Sequence, residues 1–387
     1  MQHPDLDAGT VARRTTIDAF FGAVLAAFPA KPGIASVIVT HIRPDAPAML
    51  QALGRASQLG VVLAKPQSID QVTRDRLPPH IELQVAHARF SNVDAPLAHL
   101  TRYCSGRPAI ILDVGGYFAG IADELNARYG PGLLGIVEDT ENGHQKYERA
   151  SIQACPVISV ARSPLKDPED WLVGQSIVFS AEALLRERAD VLHGRTACVI
   201  GYGKIGRSIT NTLHARRVRA VVYDLDAVKR VEAMSRGFGT AATLEEAVAG
   251  AALVFCATGN KALQLQQFAQ LDRGAYVATV TSGDDELEMR DLHQHYDPAQ
   301  VSPHITCYSR GDHYFYLMNG GHAVNFVHGS ALGPFICLIQ AELLASVARL
   351  SHGVSSLGIT ENDSSLRAQI AHIWLEHFGS DEEGASQ

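Results

Sequence analysis

Short β-branched runs recur along this chain with room for about one helix between most neighbours. They are SVIVT (36–40), VVLAK (61–65), AIILDV (109–114), LLGIVED (133–139) and PVISV (156–160), then TACVI (196–200), AVVYD (220–224), ALVFCA (252–257) and AYVATV (275–280). Nearly continuous apolar runs suit strands covered on both faces, as in parallel sheets flanked by helices. The pattern predicts the α/β class with two parallel-sheet domains, joined by a helical stretch from about Trp171 to Ala189. A length of 387 residues suits that division. After Asp284 the alternation weakens, and HYFYLMNGGHAVNF (313–326) reads as two short strands around an Asn-Gly turn. Helices are expected at about 334–350 and 364–377, followed by an exposed tail, GSDEEGASQ. The predicted division is 1–190 for an N-terminal domain, 191–320 for a second domain, and 321–387 for a segment returning to the first plus the tail.

Composition narrows the partners. A formal charge of −8 gives no broad basic footprint for nucleic acid or an anionic membrane, so a small molecule is the expected partner. Six scattered cysteines without a C-x-x-C pair read as reduced and mostly buried, which fits the cytoplasm. No metal site is expected: H-E-x-x-H is absent, and His293-Gln-His295 reads as a solvated loop. The early segment RRTTIDAFFGAVLAAFPA superficially suggests an export signal, but Asp18 interrupts it and an amphipathic helix is the better reading. The apolar stretch HAVNFVHGSALGPFICLIQAELLASVARL contains glycines, Pro334, Gln340 and Glu342, so a buried turn and helix is expected rather than a membrane span.

The most specific motif is GYGKIG (201–206), directly after TACVI and at the start of a helix. In a G-x-G-x-x-G turn the first glycine makes the tight turn and the second lets a pyrophosphate approach the backbone. The third lets helix and strand pack closely, while the helix N-terminus supplies positive potential. Asp224 ends the next strand, where a carboxylate accepts bonds from ribose hydroxyls and repels a 2′-phosphate. The motif therefore predicts a Rossmann domain binding NAD rather than NADP. Gly201, Gly203, Lys204, Ile205, Gly206 and Asp224 are its candidate contacts, although a solvated surface suits Lys204 and Arg207 as well as phosphate contact.

Upstream lie ILDVGGYFAGIADEL, GIVEDTENGHQKYE and PVISVARSPLKDPEDWLVGQS. In this order, before GYGKIG, they resemble the S-adenosylhomocysteine hydrolase family, whose corresponding segments are a strand ending Asp-Asp-Gly-Gly, a Glu-Glu-Thr-Thr-Thr-Gly turn and a lysine-bearing loop. The resemblance runs from about residue 34 to about 350. It implies a substrate domain and an NAD domain closing on a cleft, and a homo-oligomer. It also implies chemistry in which NAD oxidises a ribose 3′-hydroxyl, the acidified 4′-hydrogen leaves, the 5′ substituent is eliminated, water adds and the hydride returns. By correspondence, Lys166 and Asp170 contact the ribose hydroxyls and assist oxidation. Asp139 binds a hydroxyl, His41 is a substrate-domain histidine, and Thr140 and Asn142 contact NAD. CATGN (256–260) matches the family's nucleotide turn, adding Thr258 and Gly259, and HAVNF matches its return strand, adding Asn325.

Several positions depart from the family. Val114 replaces the second aspartate of Asp-Asp-Gly-Gly, Arg43 a threonine, Ser282 a histidine, Trp171 an asparagine and Leu332 a histidine, and the basic aromatic tail is lacking. These losses fall on groups that handle adenosine, the leaving group and water. The expectation is an NAD-dependent enzyme that oxidises a secondary hydroxyl of a nucleoside or related substrate, with elimination or addition as further steps. A non-catalytic NAD-binding regulator and a simple NAD-dependent alcohol dehydrogenase remain the alternatives.

Overall fold

The computed structural model describes residues 7–281, 286–354 and 356–379. The chain forms two units, Met1–Lys166 with Gly333–Gln387, and Asp167–Leu332. Ser282 and residues 380–387 of the expected tail lie outside the described residues.

In the first unit, seven parallel strands form one sheet: β1 (Ala35–Ile42), β2 (Gln58–Ile69), β3 (Leu83–Val85), β4 (Ala109–Asp113), β5 (Leu133–Glu138), β6 (Pro156–Ser159) and β15 (Gly358–Thr360), in the order β15-β6-β5-β4-β1-β2-β3. Alternate residues of each strand point to opposite faces. Ile38, Val62, Ile110 and Leu112 join one core with Phe20, Phe21 and Val24 of the helix Ala8–Ala27 and with the helix Ile336–Ser351. Val37, Val39, Leu63 and Ile111 join the other core with Leu100, Leu125 and Tyr147. The span Gly333–Ser351 is apolar enough to cross a membrane by composition, but 72% of it is buried inside the protein, as befits a core helix. All six cysteines are free, and five are buried.

The second unit holds β7 (Thr196–Ile200), β8 (Arg219–Tyr223), β9 (Gly239–Thr240), β10 (Leu253–Cys256), β11 (Tyr276–Thr279), β12 (Asp297–Ser302), β13 (Ile305–Arg310) and β14 (His313–Met318). Their order is β12-β13-β14-β11-β10-β7-β8-β9, parallel except for the β12–β13–β14 meander.

Three expectations need correction. The helix Asp167–Glu187 belongs wholly to the second unit, so the first unit ends at Lys166 rather than at 190, and the chain returns at Gly333 rather than 321. The reason is close helix packing: a Cβ at Gly174 would stand 2.4 Å from Ser208 Cβ, and Ser208 Oγ donates to the Trp171 carbonyl at 2.5 Å. Next, 313–326 is not a hairpin. His313–Met318 pairs with Ile305–Arg310 instead, and Val324–His328 is a 3-10 turn, because Asn319 and Gly320, both at positive φ, turn the chain out of the sheet. Finally, His293 and His295 close the helix Met289–His295, where His293 Nε2 lies 3.0 Å from the Tyr308 hydroxyl and stacks on that ring.

Candidate active site and cofactor site

The chemistry-bearing groups of the first unit gather at the C-terminal ends of β1, β2, β4, β5 and β6, the edge where parallel sheets place their ligands. Two buried carboxylates build this edge. Asp113, ending β4, accepts from the amides of Tyr117 (3.0 Å) and Phe118 (2.9 Å) and from the Tyr147 hydroxyl (2.7 Å). Glu138, ending β5, accepts from the amides of Gly115 (3.1 Å), Gly116 (2.9 Å) and Thr140 (2.7 Å) and from Thr140 Oγ1 (2.8 Å). Four successive amides, 115 to 118, are thus held by protein carboxylates. Burial pushes the Glu138 carboxyl up to about 8, with neighbouring Asp113 adding to the shift, and burial also raises Asp113. Gly143 lets the following helix close on Glu138, since a Cβ there would lie 2.1 Å from Glu138 Oε1.

On this frame the structure joins two of the candidate catalytic residues. Lys166 Nζ, nearly buried, donates to Asp139 Oδ1 at 3.0 Å. His41, one residue before the end of β1, hydrogen-bonds Ser68 Oγ through Nδ1. Its basicity is lowered well below the ordinary range, first by burial and then by Lys65, Arg43 and Lys166, which keeps the ring neutral at neutral pH. Thr140 and Asn142 belong to this unit too. Thr140 caps the helix Glu141–Ala150 by accepting from the Gly143 amide, and the Asn142 side chain receives the Lys146 ammonium. Asp170 is buried on the first turns of the helix Asp167–Glu187, in the second unit.

The Lys166 turn is anchored from below. Ser163, three residues earlier, donates its hydroxyl to the fully buried Glu342, which also accepts from Arg367 Nε (3.0 Å) and Asn362 Nδ2 (3.2 Å). Ser163 Oγ accepts from the Leu165 amide (3.1 Å), and its carbonyl accepts from the Lys166 amide (3.1 Å). Lys65, Glu138 and Glu342 are members of this site that sequence reasoning did not single out. An acidic residue ending a strand immediately before Asp139 was the available signal for Glu138; the partners of Lys65 and Glu342 are too distant in sequence to leave one.

In the second unit the GYGKIG turn has three differently placed glycines. Gly201 has φ +95°, and a Cβ there would meet the Ala257 carbonyl oxygen at 2.4 Å. A Cβ at Gly206 would lie 2.0 Å from the Gly201 carbonyl oxygen. Gly203, the N-cap of the helix Lys204–Ala215, faces open space, with nothing within 4 Å of a Cβ there. That is the room a pyrophosphate needs at a helix N-terminus. Asp224 accepts from the amides of Tyr202 (2.7 Å) and Asp226 (2.9 Å), leaving each oxygen a further lone pair for a ribose hydroxyl. Lys204 is engaged by Asp167 (2.8 Å) and Arg207 by Glu232 (3.0 Å), while Ile205 packs into the core beneath the turn.

The turn after β10 is shaped by a fourth unforeseen residue. Glu286, fully buried, accepts from the amides of Thr258 (3.0 Å) and Gly259 (2.7 Å) and from Thr258 Oγ1 (2.8 Å). Asn325 is 3% exposed; its Nδ2 donates to Ser330 Oγ at 2.8 Å, and its Oδ1 is buried without a partner among the described residues. An unsatisfied buried acceptor calls for a donor, and the carboxamide N–H group of NAD is one. Open space at Gly203, a carboxylate at Asp224 and this acceptor fit NAD. Among the described residues no three or more His, Cys, Asp or Glu side chains converge as a metal site.

The family-model match agrees with NAD binding. Residues 175–331 match the family model for the NAD-binding domain of S-adenosyl-L-homocysteine hydrolase. The adenosylhomocysteinase of Thermotoga maritima is 29% identical over 239 residues, covering 60% of this chain and 58% of its own length. Among solved structures, phosphoglycerate oxidoreductase from Vibrio cholerae O395 aligns at TM-score 0.41 and 15% identity over 67% of this chain and 79% of that one. A glyoxylate reductase from Paecilomyes thermophila aligns at TM-score 0.37 and 12% identity over 68% and 78%.

Proposed function

Because residues 175–331 match the family model for the NAD-binding domain of S-adenosyl-L-homocysteine hydrolase, we propose that the chain is an NAD-dependent enzyme oxidising a secondary hydroxyl of a nucleoside-like substrate. The observation that carries the proposal is the nearly buried Lys166–Asp139 pair at 3.0 Å, beside a neutral His41 at the edge of the first sheet. When bound, NAD takes up the hydride from the carbinol carbon. The hydroxyl proton must leave at the same time, and Lys166 Nζ, Asp139 and His41 are the groups assigned to bind the hydroxyl and receive it. Asp170 is assigned a second hydroxyl of the substrate. Gly201, Gly203, Gly206 and Asp224 are assigned the pyrophosphate and ribose of NAD, Thr258, Gly259 and Asn325 the nicotinamide half, and Thr140 and Asn142 further NAD contacts.

Hydrolysis is a finer claim. Val114 is buried and non-polar where the family resemblance implies an aspartate, so the proposal stops at oxidation, with elimination or addition to be tested on the product. A cytoplasmic, homo-oligomeric enzyme completes the reading, the location in keeping with six free cysteines. The test is Lys166→Met in the NAD-loaded protein. NAD retention is expected to be unchanged and the substrate-driven rise of reduced-nicotinamide absorbance to fall at least about a hundredfold, the scale of a lost acid–base group. Undiminished reduction by that variant removes Lys166 from the mechanism.

A further inference from the structure

Beside Asp224 the second unit carries a cation that its fold does not need. Asp226 caps the helix Ala227–Ser235 by accepting from the Val228 amide at 2.8 Å, which places Lys229 in the first helical turn. A lysine there opposes the helix dipole, which favours anions at this end and cations at the other. Its ammonium stands 3.9 Å from Asp224 Oδ2, outside hydrogen-bonding range, so it sits beside the carboxylate without occupying a lone pair. The neighbouring arginines are engaged. Arg230 donates to the carbonyls of Ala241 (3.4 Å) and Ala242 (2.9 Å), and Arg207 and Arg236 share Glu232 at 3.0 and 2.9 Å. Among the described residues Asp224 is the one ion-pair partner of Lys229.

These two charges treat the two nicotinamide dinucleotides oppositely. The 2′-hydroxyl of NAD donates to a carboxylate, whereas the 2′-phosphate of NADP is repelled by a carboxylate and attracted by an ammonium. The Asp224 side chain, 11% exposed, is fixed by the amides of Tyr202 and Asp226, while the Lys229 side chain, 44% exposed, is free to swing toward a group bound beside it. A cation so close to the carboxylate offsets part of the repulsion that a phosphate meets there.

We propose that Lys229 is a second determinant of cofactor choice: its ammonium lessens the exclusion of NADP that Asp224 imposes, and it receives the 2′-phosphate once the charge of Asp224 is removed. This role of Lys229 rests on the assignment of Asp224 to the adenosine ribose of NAD. The test is calorimetric titration of the full-length, NAD-free protein with NAD in one arm and NADP in the other. Wild type is expected to bind NAD more tightly than NADP. Lys229→Gln should weaken NADP at least about fivefold and leave NAD within about threefold, which widens the preference. Asp224→Asn should weaken NAD and strengthen NADP, the latter at least about tenfold, and the Asp224→Asn/Lys229→Gln double variant should lose most of that gain. If Asp224→Asn does not fold, Asp224→Ser replaces it with the same expectation. An NADP affinity that does not change with Lys229 in the Asp224→Asn background, or NADP binding too weak to measure in wild type and Asp224→Asn alike, overturns the role of Lys229. If NAD affinity nevertheless falls in Asp224→Asn, the ribose assignment stands without it. Unchanged NAD affinity in Asp224→Asn overturns the ribose assignment and the role of Lys229 together.

Discussion

Replacing Gly206 and Gly203 with alanine separates the two duties of the dinucleotide turn. At Gly206 the new Cβ would stand 2.0 Å from the Gly201 carbonyl oxygen. Close carbon–oxygen contacts fall at about 3.3–3.6 Å, so the helix Lys204–Ala215 must retreat from β7 by roughly 1.3 Å. Overpacking of this kind destabilises by about 1–3 kcal/mol, and alanine's better helix propensity returns at most about 1 kcal/mol. A unit of this size should therefore melt about 2–4 °C lower for each kcal/mol lost, without NAD present. At Gly203 the backbone is extended, φ −75° and ψ −165°, and the Cβ meets nothing, so the NAD-free protein should melt as wild type. Its methyl group fills the space where the pyrophosphate approaches, and NAD affinity should fall at least about tenfold. At NAD equal to a hundred times the wild-type Kd, the ligand-induced stabilisation should drop from about 2.7 to about 1.4 kcal/mol. Differential scanning calorimetry with and without NAD measures both. Unchanged NAD affinity in Gly203→Ala, or unchanged melting in Gly206→Ala, refutes the assignment of duties within the turn.

Glu138→Gln places an amide NH2 against one of the four donors and should destabilise by about 1–3 kcal/mol, read by urea unfolding. The wild-type carboxyl, raised to about 8, stays protonated in the folded protein while the unfolded one ionises. Its stabilisation is therefore complete below about pH 4.5 and declines as pH rises toward about 8, and the glutamine variant should lack that share of the decline. Glu286→Gln breaks the clamp on Thr258 and Gly259, and calorimetric NAD affinity should weaken about five- to thirtyfold while β10 and its neighbours keep their far-UV signal. Glu342→Leu leaves Arg367 without its buried partner and should cost about 3–5 kcal/mol in denaturant unfolding.

The strands were legible because β-branched runs such as AIILD and TACVI admit few other readings when bounded by turns. The edge strand Asp297–Ser302 was not, since it is mostly exposed and contains Pro298, which an edge tolerates but which erases the apolar alternation. His293 and His295 read as loop in the sequence because a helix of seven residues ending in polar side chains shows little period. At the site, the glycines and Asp224 could be placed from spacing alone, as local backbone geometry dictates them. Glu342 could not, because its bond to Ser163 spans 179 residues of sequence. Lys65 was hidden for another reason: a lysine in VVLAK reads as the solvated end of a strand, and only the bulge against His41 shows that it turns inward.

Hydroxyl oxidation by bound NAD is tested by a single-turnover absorbance measurement on the NAD-loaded protein mixed with a panel of nucleosides and their phosphate esters. A reduced-nicotinamide signal is expected with at least one of them, approaching one equivalent per chain and absent from Lys166→Met. An NAD-loaded protein that shows no such signal with any secondary hydroxyl in the panel contradicts it.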